Sequence, residues 1–342
     1  MTTHPSHART DKGRPKALPI LAIQVILSTL VASAFVGIYL GLQRDPAPTN
    51  VPLVTTSQEL AAAAEAAWGD KASVTVVGSS TEAKARLRSD AAVAAFVPAA
   101  AGIELYTAGA NGRSVTLAAT GLIEGLAQSA DLPIASTTDV VPFVQYDRQG
   151  LSSFYLVFGV TLAAFILAQI LSAMSFLTLR SRILAVAAGA VVSAAVAAVV
   201  AGPLLGAVPA TLWVVVPGLA LLSAAVSIST MAIAAAVGPI GNVISTLLFT
   251  VAGNATGGAT ISAFLMPPVI AFAGALLPQG AAFRLIVDAG YFGTTNSLGP
   301  ILVLLAWNVA AAALLFFASR RAAHRAARQA TRQAAVRFTS GD

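Results

Sequence analysis

The sequence contains no cysteine, and its three histidines all lie in the terminal tails, at His4, His7 and His324. Without cysteine the chain can form neither disulfides nor thiolate metal sites, and histidines so placed give no metal-binding cluster. The hydrolase motifs GxSxG and HExxH and the phosphate-binding motif GxxxxGK(S/T) are absent as well. We therefore expect a protein that is not an enzyme and that binds no metal or cofactor.

A long stretch in the second half of the chain contains no charged residue. The 101 residues from Ile183 to Phe283 include no Asp, Glu, Lys or Arg, whereas a soluble domain has roughly a quarter charged residues. This stretch is therefore typical of a protein embedded in lipid. Carriers driven by protons usually place ionisable side chains inside their spans, so the stretch also argues against an internal proton relay. Sodium coordination by backbone oxygens stays open.

The remaining charges are segregated along the chain. Both ends are basic, at 1–16 and at 320–342, while residues 45–150 hold 11 acidic and 6 basic residues. The net charge of +6 is thus the sum of basic tails and an acidic middle. Because the basic clusters flank apolar runs, the positive-inside rule explains them better than nucleic-acid binding does. We expect no nucleic-acid partner, and the alanine-rich composition suggests a bacterial protein.

Six apolar runs have transmembrane length. The first is 17–42, which we interpret as an uncleaved anchor because the run continues past the possible signal-peptidase site Ala32-Ser33-Ala34. The others are expected at 151–178, 183–206, 210–236, 240–256 and 298–319. With the N-terminus inside, the basic tails and the Arg180-Ser181-Arg182 loop all fall on the cytoplasmic side. The sequence therefore predicts a multi-pass protein of the inner (cytoplasmic) membrane with both termini in the cytoplasm.

Residues 43–150 read as a small extracytoplasmic α/β domain between the first two spans, because strand and helix patterns alternate there. Ser57 and Thr81 are the expected N-caps of its first two helices. The predicted strands lie at 51–54, 72–77, 91–97 and 103–107, and the predicted helices at 57–68, 81–88 and 113–130.

The apolar segment 258–295 is too rich in proline and glycine for a regular helix. Pro267-Pro268 removes two backbone donors and disfavours helix before it. Irregular backbone at membrane depth must be buried in protein or face water, so we predict a re-entrant segment before the last span. Arg284 and Asp288 would then lie near the outer interface, either as a helix-surface ion pair or as a head-group contact at the outer mouth of a groove.

Neutral polar residues recur inside the predicted spans. One stripe is formed by Asn242, Thr246, Thr250 and Asn254, and a second by Ser223, Ser227 and Thr230. Residues four apart drift only about 40° around a helix, so each stripe shares a face. The stripes either form hydrogen bonds between helices, worth about 0.6–2 kcal/mol per contact, or line a substrate path.

The arginines of the tail 320–342 have two interpretations as well. Arg321, Arg325, Arg328 and Arg332 share one helical face and would be attracted to anionic lipid. Docking of a cytoplasmic partner is the alternative.

The order of these features resembles the ABC-2 type exporter permeases, and within them the branch of phage infection protein-like (Pip) membrane proteins. The similarity covers about residues 17–320 and includes one span, an outer domain, five further spans and a re-entrant segment before the last. The local motifs that resemble the family are Glu82–Leu87 followed by Ala92–Pro98, Ile103–Arg113, Gly253–Ala259, Met266-Pro267-Pro268 and Leu277–Ala281.

The resemblance implies a permease subunit that pairs as a homodimer or heterodimer and moves a lipid, glycan or other amphipathic envelope-related or toxic compound outward. Energy would come from a separate cytoplasmic ATP-binding subunit. The first inner loop, Arg180-Ser181-Arg182, lacks the coupling helix of typical exporters. A second interpretation is therefore a non-transporting envelope scaffold or accessory subunit whose extracytoplasmic domain binds an envelope protein.

Overall fold

The computed structural model describes residues 17–174, 176–294 and 296–339. The side chains of residues 17, 18, 20 and 322–339 fall outside this description, as does the basic tail expected at 1–16. The described chain is mostly helical and includes one small sheet. It begins with helix α1, Ala17–Arg44, whose apolar side chains are largely exposed.

A five-stranded sheet with three helices follows α1. Its elements are β1 Val51–Thr55, α2 Gln58–Trp68, β2 Ala72–Val76, α3 Ser80–Arg88, β3 Ala94–Ala99, β4 Gly102–Thr107, α4 Arg113–Ser129 and β5 Ile134–Asp139. The strand order is β2-β1-β3-β4-β5. Strands β3 and β4 form an antiparallel hairpin, and the other neighbouring pairs are parallel. Residues 51–139 thus contain alternating strands and helices around one small sheet.

The two faces of the sheet are buried differently. One face packs Leu53 and Phe96 against Trp68 of α2 and Ile123 of α4. The other face is covered by α3 and by residues from the far end of the chain, around Val287. The sheet therefore completes one of its cores with residues from the C-terminal half.

Two details of this domain differ from the sequence-based prediction. Strand β5 was not expected, because its exposed residues Ala135–Asp139 show little hydrophobic alternation. The N-cap of α3 is Ser79, whose hydroxyl accepts a hydrogen bond from the backbone N–H of Glu82 at 3.2 Å. The expected cap, Thr81, lies inside the helix instead.

The C-terminal half is helical. Its elements are α5 Ser152–Ala173, α6 Leu179–Val199 with a π-helical extension Val200–Leu204, α7 Leu212–Val237, α8 Ile240–Ser245 with a π-helical turn Thr246–Ala252, α9 Gly253–Ala255, α10 Pro268–Ala275, α11 Pro278–Val287 with a π-helical turn Asp288–Phe292, and α12 Leu298–Thr339.

Within the described residues, five helices are long and apolar enough to cross a membrane, as expected for a polytopic membrane protein. They are Leu21–Arg44, Ser152–Ala173, Leu179–Leu204, Leu212–Val237 and Leu298–Arg321. Five of the six predicted spans thus coincide with long apolar helices. The sixth, predicted at 240–256, is the shorter apolar helix Ile240–Ala255, and the total of six spans stays a prediction.

The inner loop predicted at Arg180-Ser181-Arg182 belongs to the first turn of α6 rather than to a loop. Thr178 caps this helix by accepting a hydrogen bond from Ser181 N–H at 3.2 Å. The Arg182 guanidinium donates to the Met174 carbonyl at the end of α5. The connection between α5 and α6 therefore lies earlier in the chain than expected, at residues 174–178.

Helix α7 lies at the centre of the membrane helices. It packs against α5, α6, α11 and α12, and buried side chains such as Leu219 and Leu222 form the shared core. Asn308 of α12 donates its side-chain amide to the Leu221 carbonyl at 2.9 Å. Gly218 allows Leu285 of α11 to approach closely, since an added Cβ would lie 2.7 Å from that side chain. The core thus joins α7 to the broken segment that precedes α12.

Candidate functional site

The apolar segment before α12 forms a sharply bent pair of helices, here called the hairpin (residues 268–292). Helix α10 and the helix Pro278–Phe292 meet at 81°. The bend follows from the sequence, because a residue before proline avoids helical dihedrals and Leu277 is extended, with ψ 147°. Pro268 and Pro278 each stand in the first turn of their helix, where no N–H donor is needed.

Glycines let the two arms of the hairpin and the preceding turn touch. A Cβ added at Gly274 would lie 2.0 Å from the Thr256 carbonyl oxygen, and one added at Gly280 would lie 2.3 Å from the Gly274 carbonyl oxygen. Real Cβ atoms essentially never come so close to backbone atoms. The Trp307 indole of α12 donates to the Leu276 carbonyl at 2.7 Å, which satisfies a carbonyl at the corner of the hairpin. The bent shape therefore depends on side chains being absent at two positions.

The hairpin and the loop before it are bound to the α/β domain. Thr49 N–H donates to the Phe264 carbonyl at 2.8 Å, and Ser262 N–H donates to the Ser114 hydroxyl at 3.0 Å. Val287 and Phe292 of the hairpin are buried in the same core as α3. The domain, the loop and the hairpin consequently lie at the same end of the membrane helices.

Arg284 joins the hairpin to the domain through an ion pair with Asp90, the second residue after the end of α3. Asp90 adopts a left-handed backbone conformation, with φ 63°, which Asp tolerates better than most residues. Its side chain is 4% exposed, while that of Arg284 is 42% exposed. The expected ion pair of Arg284 with Asp288 is therefore replaced by a contact between hairpin and domain.

Asp288 is buried and has other partners. Its carboxylate accepts hydrogen bonds from the Ser297 hydroxyl and from Asn296 N–H. Both partners precede α12, so Asp288 fixes the connection from the hairpin to the last long helix. The two residues predicted as an outer-mouth contact therefore have separate partners. Arg284 pairs with Asp90 of the α/β domain, and Asp288 accepts hydrogen bonds from residues just before α12.

The polar stripe on the shorter helix bonds largely to its own backbone. The Thr246 hydroxyl donates to the Asn242 carbonyl at 2.8 Å, and the Asn254 amide donates to the carbonyls of Phe249 and Thr250. The π-helical turn Thr246–Ala252 widens this part of the helix, and such turns occur frequently at functional sites. The Thr250 hydroxyl is buried without a hydrogen-bond partner among the described residues.

The stripe on α7 includes one clear contact between helices. The Ser227 hydroxyl donates to the Ala164 carbonyl of α5 at 3.0 Å, as the packing interpretation predicts. The hydroxyls of Ser223 and Thr230 are buried and have no partner among the described residues. Both stripes thus leave buried polar atoms without a partner among the described residues, and the α7 stripe also forms one contact between helices through Ser227.

Two buried side-chain amides meet where the shorter helix contacts the hairpin. Gln279 is 1% exposed and Asn254 is 2% exposed, and both line a cavity of about 10 Å³. Neither polar atom of Gln279 has a partner among the described residues, nor does the Asn254 Oδ1 atom. Gly253 makes room for the Gln279 amide, because an added Cβ would lie 2.2 Å from its Oε1 atom. The cavity is about the size of one water molecule.

A larger cavity, of about 370 Å³, lies between the α/β domain, the hairpin and α12. Its wall includes Asn111 of the domain, Phe264 of the loop, Arg284 of the hairpin and Gly299 of α12. A volume of this size is within the range of ligand sites, about 300–1,000 Å³. Among the described residues no group of three His, Cys, Asp or Glu side chains could hold a metal ion.

No protein-family model matches the chain, and comparison with curated proteins and with solved structures found no match.

The sequence did not point to Asp90, Gln279 or Asn111 as residues of this region. In the sequence, Asp90 is simply a charged residue near the end of a predicted helix. Only the fold brings it close to Arg284. Gln279 had a signal, since it is one of the few strongly polar residues in the uncharged stretch. Asn111 lies in the turn motif that resembles the exporter family, but nothing in the motif indicates contact with the membrane helices.

Proposed function

We propose that the chain is the permease subunit of an ABC-2-like exporter that moves a lipid, glycan or other amphipathic envelope-related or toxic compound outward. The observation that carries this proposal is the bent hairpin, packed between the polar shorter helix and the α/β domain and bordered by an amphipathic cavity. Broken helices at membrane depth are tolerated where they line a cavity or are buried in protein, and they are common in transport proteins.

The direction of the helices supports an outer position for the domain. Gly206, after α6, lies beside Tyr146 at the end of the domain, so the first turn of α6 with Arg180 and Arg182 is at the opposite end. Helix α12 begins beside the hairpin and reaches Arg320 at that same opposite end. The positive-inside rule then assigns these arginines to the cytoplasm and the domain to the outside of the cytoplasmic membrane.

The shorter helix and the hairpin fit a sixth crossing. Sixteen residues rise about 24 Å as an α-helix, less than the roughly 30 Å of a bilayer core. The hairpin, entering from the outer side, would fill the remaining depth. We therefore assign six spans, with the hairpin as a re-entrant segment that is not itself a crossing.

Energy has to come from another protein in this proposal. The uncharged stretch 183–283 provides no ionisable group for proton coupling. A separate cytoplasmic ATP-binding subunit fits this absence. The exposed apolar surface of α1 supports a second permease chain, identical or related, as the other partner.

The proposal is tested with the full-length tagged protein in cells that lack the chromosomal copy. We expect an ATP-binding protein to co-purify in mild detergent, and a fluorescent amphiphile to accumulate when the gene is deleted. Thr250→Leu removes a buried hydroxyl from the π-helical turn of the shorter helix and should raise accumulation of the amphiphile to the level seen in the deletion strain. Ile244→Leu is the matched control, because Ile244 lies in the same apolar segment and is 42% exposed on the surface of the protein.

The alternative function is an envelope scaffold that binds partners through the outer domain. The exposed edge strand β5 favours it, since an unpaired edge can accept another strand. The scaffold function would replace the permease proposal under three results together. The deletion strain would export normally, no ATPase would be present in the purified complex, and an envelope protein would be captured through β5.

A further inference from the structure

The cavity of about 370 Å³ between domain, hairpin and α12 has walls of two kinds. Most of its surface comes from apolar side chains and small residues. These include Phe264, Ala275, Leu276, Phe283, Val287 and Val303. Such walls suit a hydrocarbon chain, because removing apolar surface from water is favourable.

Exposed apolar side chains stand next to lining residues in the sequence, Phe272 beside Ala271 and Leu298 beside Gly299. Phe272 of α10 is 68% exposed, and Leu298 of α12 is 69% exposed. Leu276, which lines the cavity, is itself half-exposed at the corner of the hairpin. An acyl chain could therefore enter sideways between α10 and α12 without leaving an apolar environment.

The other wall is polar and includes hydrogen-bond donors. The Asn111 Nδ2 atom is buried and has no partner among the described residues. The Arg284 guanidinium has five N–H donors, and its side chain stays 42% exposed after pairing with Asp90. Asp288 accepts its hydrogen bonds from residues before α12 and is not part of the lining. An oxyanion at this end would meet the donors of both side chains.

We propose that this cavity binds a phospholipid, with its phosphate at Arg284 and Asn111 and an acyl chain between α10 and α12. Guanidinium binds phosphate through paired charge-assisted hydrogen bonds, and the Asp90 carboxylate already occupies one side of Arg284 as an internal oxyanion. Placing this phospholipid in the outer leaflet rests on the proposed function, whereas its binding in the cavity does not. The inference deepens that function by naming a phosphate-bearing lipid as a compound that the permease holds.

Substitution of Asp90 should strengthen phospholipid binding rather than weaken it. Its carboxylate competes with the lipid phosphate for Arg284, so Asp90→Asn should strengthen phospholipid binding several-fold. Asparagine also tolerates the left-handed conformation of this position, so the domain should stay folded. Arg284→Gln and Asn111→Leu should each weaken binding, about tenfold for the arginine, as expected for loss of a charged hydrogen-bond partner.

The experiment is photo-crosslinking of the full-length protein in a phosphate-free maltoside detergent. One probe is phosphatidylglycerol with a photoreactive acyl chain, and the other is diacylglycerol with the same chain. We expect labelled peptides within 256–303, about tenfold more label from the phospholipid, and no competition by excess inorganic phosphate. Ala275→Phe should fill the cavity and remove the label, whereas Ala273→Phe, on the same helix but outside the lining, should keep it.

Equal labelling by the two lipids, or efficient competition by inorganic phosphate, would overturn the assignment of a phospholipid. Label that lies outside 256–303 and is indifferent to Ala275→Phe would overturn the site. Because the assay requires neither ATPase nor export, its failure is distinguishable from that of the permease proposal. A lack of export with site-specific phospholipid label would leave the site in place and remove only the transport function.

Discussion

Adding one methyl group at Gly274 tests whether the hairpin closes as described. In Gly274→Ala the new Cβ would lie 2.0 Å from the Thr256 carbonyl oxygen and 2.8 Å from its carbon. Ordinary van der Waals contact needs 3.4–4 Å, so the two backbones must separate by more than 1 Å. Neither partner is the end of a flexible side chain that could rotate away. The substitution therefore pushes α10 away from the turn that follows α9.

The expected cost combines two opposing effects. Overpacking of a well-packed site costs about 1–3 kcal/mol, while alanine recovers up to about 1 kcal/mol of helix propensity over glycine. A net loss of about 1–2 kcal/mol lowers the ratio of folded to unfolded protein about 5–30-fold. For a chain of this size, that is a fall of a few degrees in melting temperature.

The measurement is the thermal unfolding midpoint of the purified protein in mild detergent. Gly159→Ala is the matched control, since Gly159 is on helix α5 with nothing within 4 Å of its added Cβ. The control should melt at or above the wild-type temperature. If Gly274→Ala melts together with the control, the close approach of α10 to Thr256 is wrong, and so is the geometry of the candidate site.

Three further outcomes follow from the structure. A maleimide that cannot cross membranes should label Ser136→Cys in intact cells but Ser181→Cys only after permeabilisation, and the reverse pattern would contradict the proposed topology. Phe96→Ala should destabilise the α/β domain by about 3–5 kcal/mol, measured by the onset of proteolysis, while exposed Leu117→Ala should change it little. Gln279→Leu should raise the melting temperature, because a buried amide without partners costs about 1–3 kcal/mol; a fall would mean that a bound water or ligand satisfies it.

The long stretch without charged residues made the apolar helices of the C-terminal half predictable from the sequence. The apolar runs at 151–178, 183–206 and 210–236 match α5, α6 and α7 closely because nothing but a helix satisfies the backbone in lipid. Glycine and proline between 258 and 295 correctly indicated a break there. Their effect is local, through missing donors and fixed dihedrals, and local effects can be read from neighbouring residues.

The partners of the candidate site could not be predicted in the same way. Arg284 has Asp288 at helical spacing, and a spacing rule naturally pairs them. The fold instead brings Asp90 to Arg284 from a position far away in sequence, while Ser297 binds Asp288. Strand β5 was missed for a related reason, since its place at the edge of the sheet leaves its side chains in solvent and removes the usual pattern.

The shared core of the sheet and the hairpin imposes an order on the synthesis of the protein. Residues 45–150 are synthesised before the hairpin, so the core between their sheet and α3 stays incomplete until Val287 and Phe292 have been made. During that interval the α/β domain exposes apolar surface, which favours chaperone binding or aggregation. A chain truncated after the shorter helix should therefore be degraded quickly, even though every residue of the domain is present. The stability of the α/β domain thus depends on whether the hairpin has been synthesised and folded.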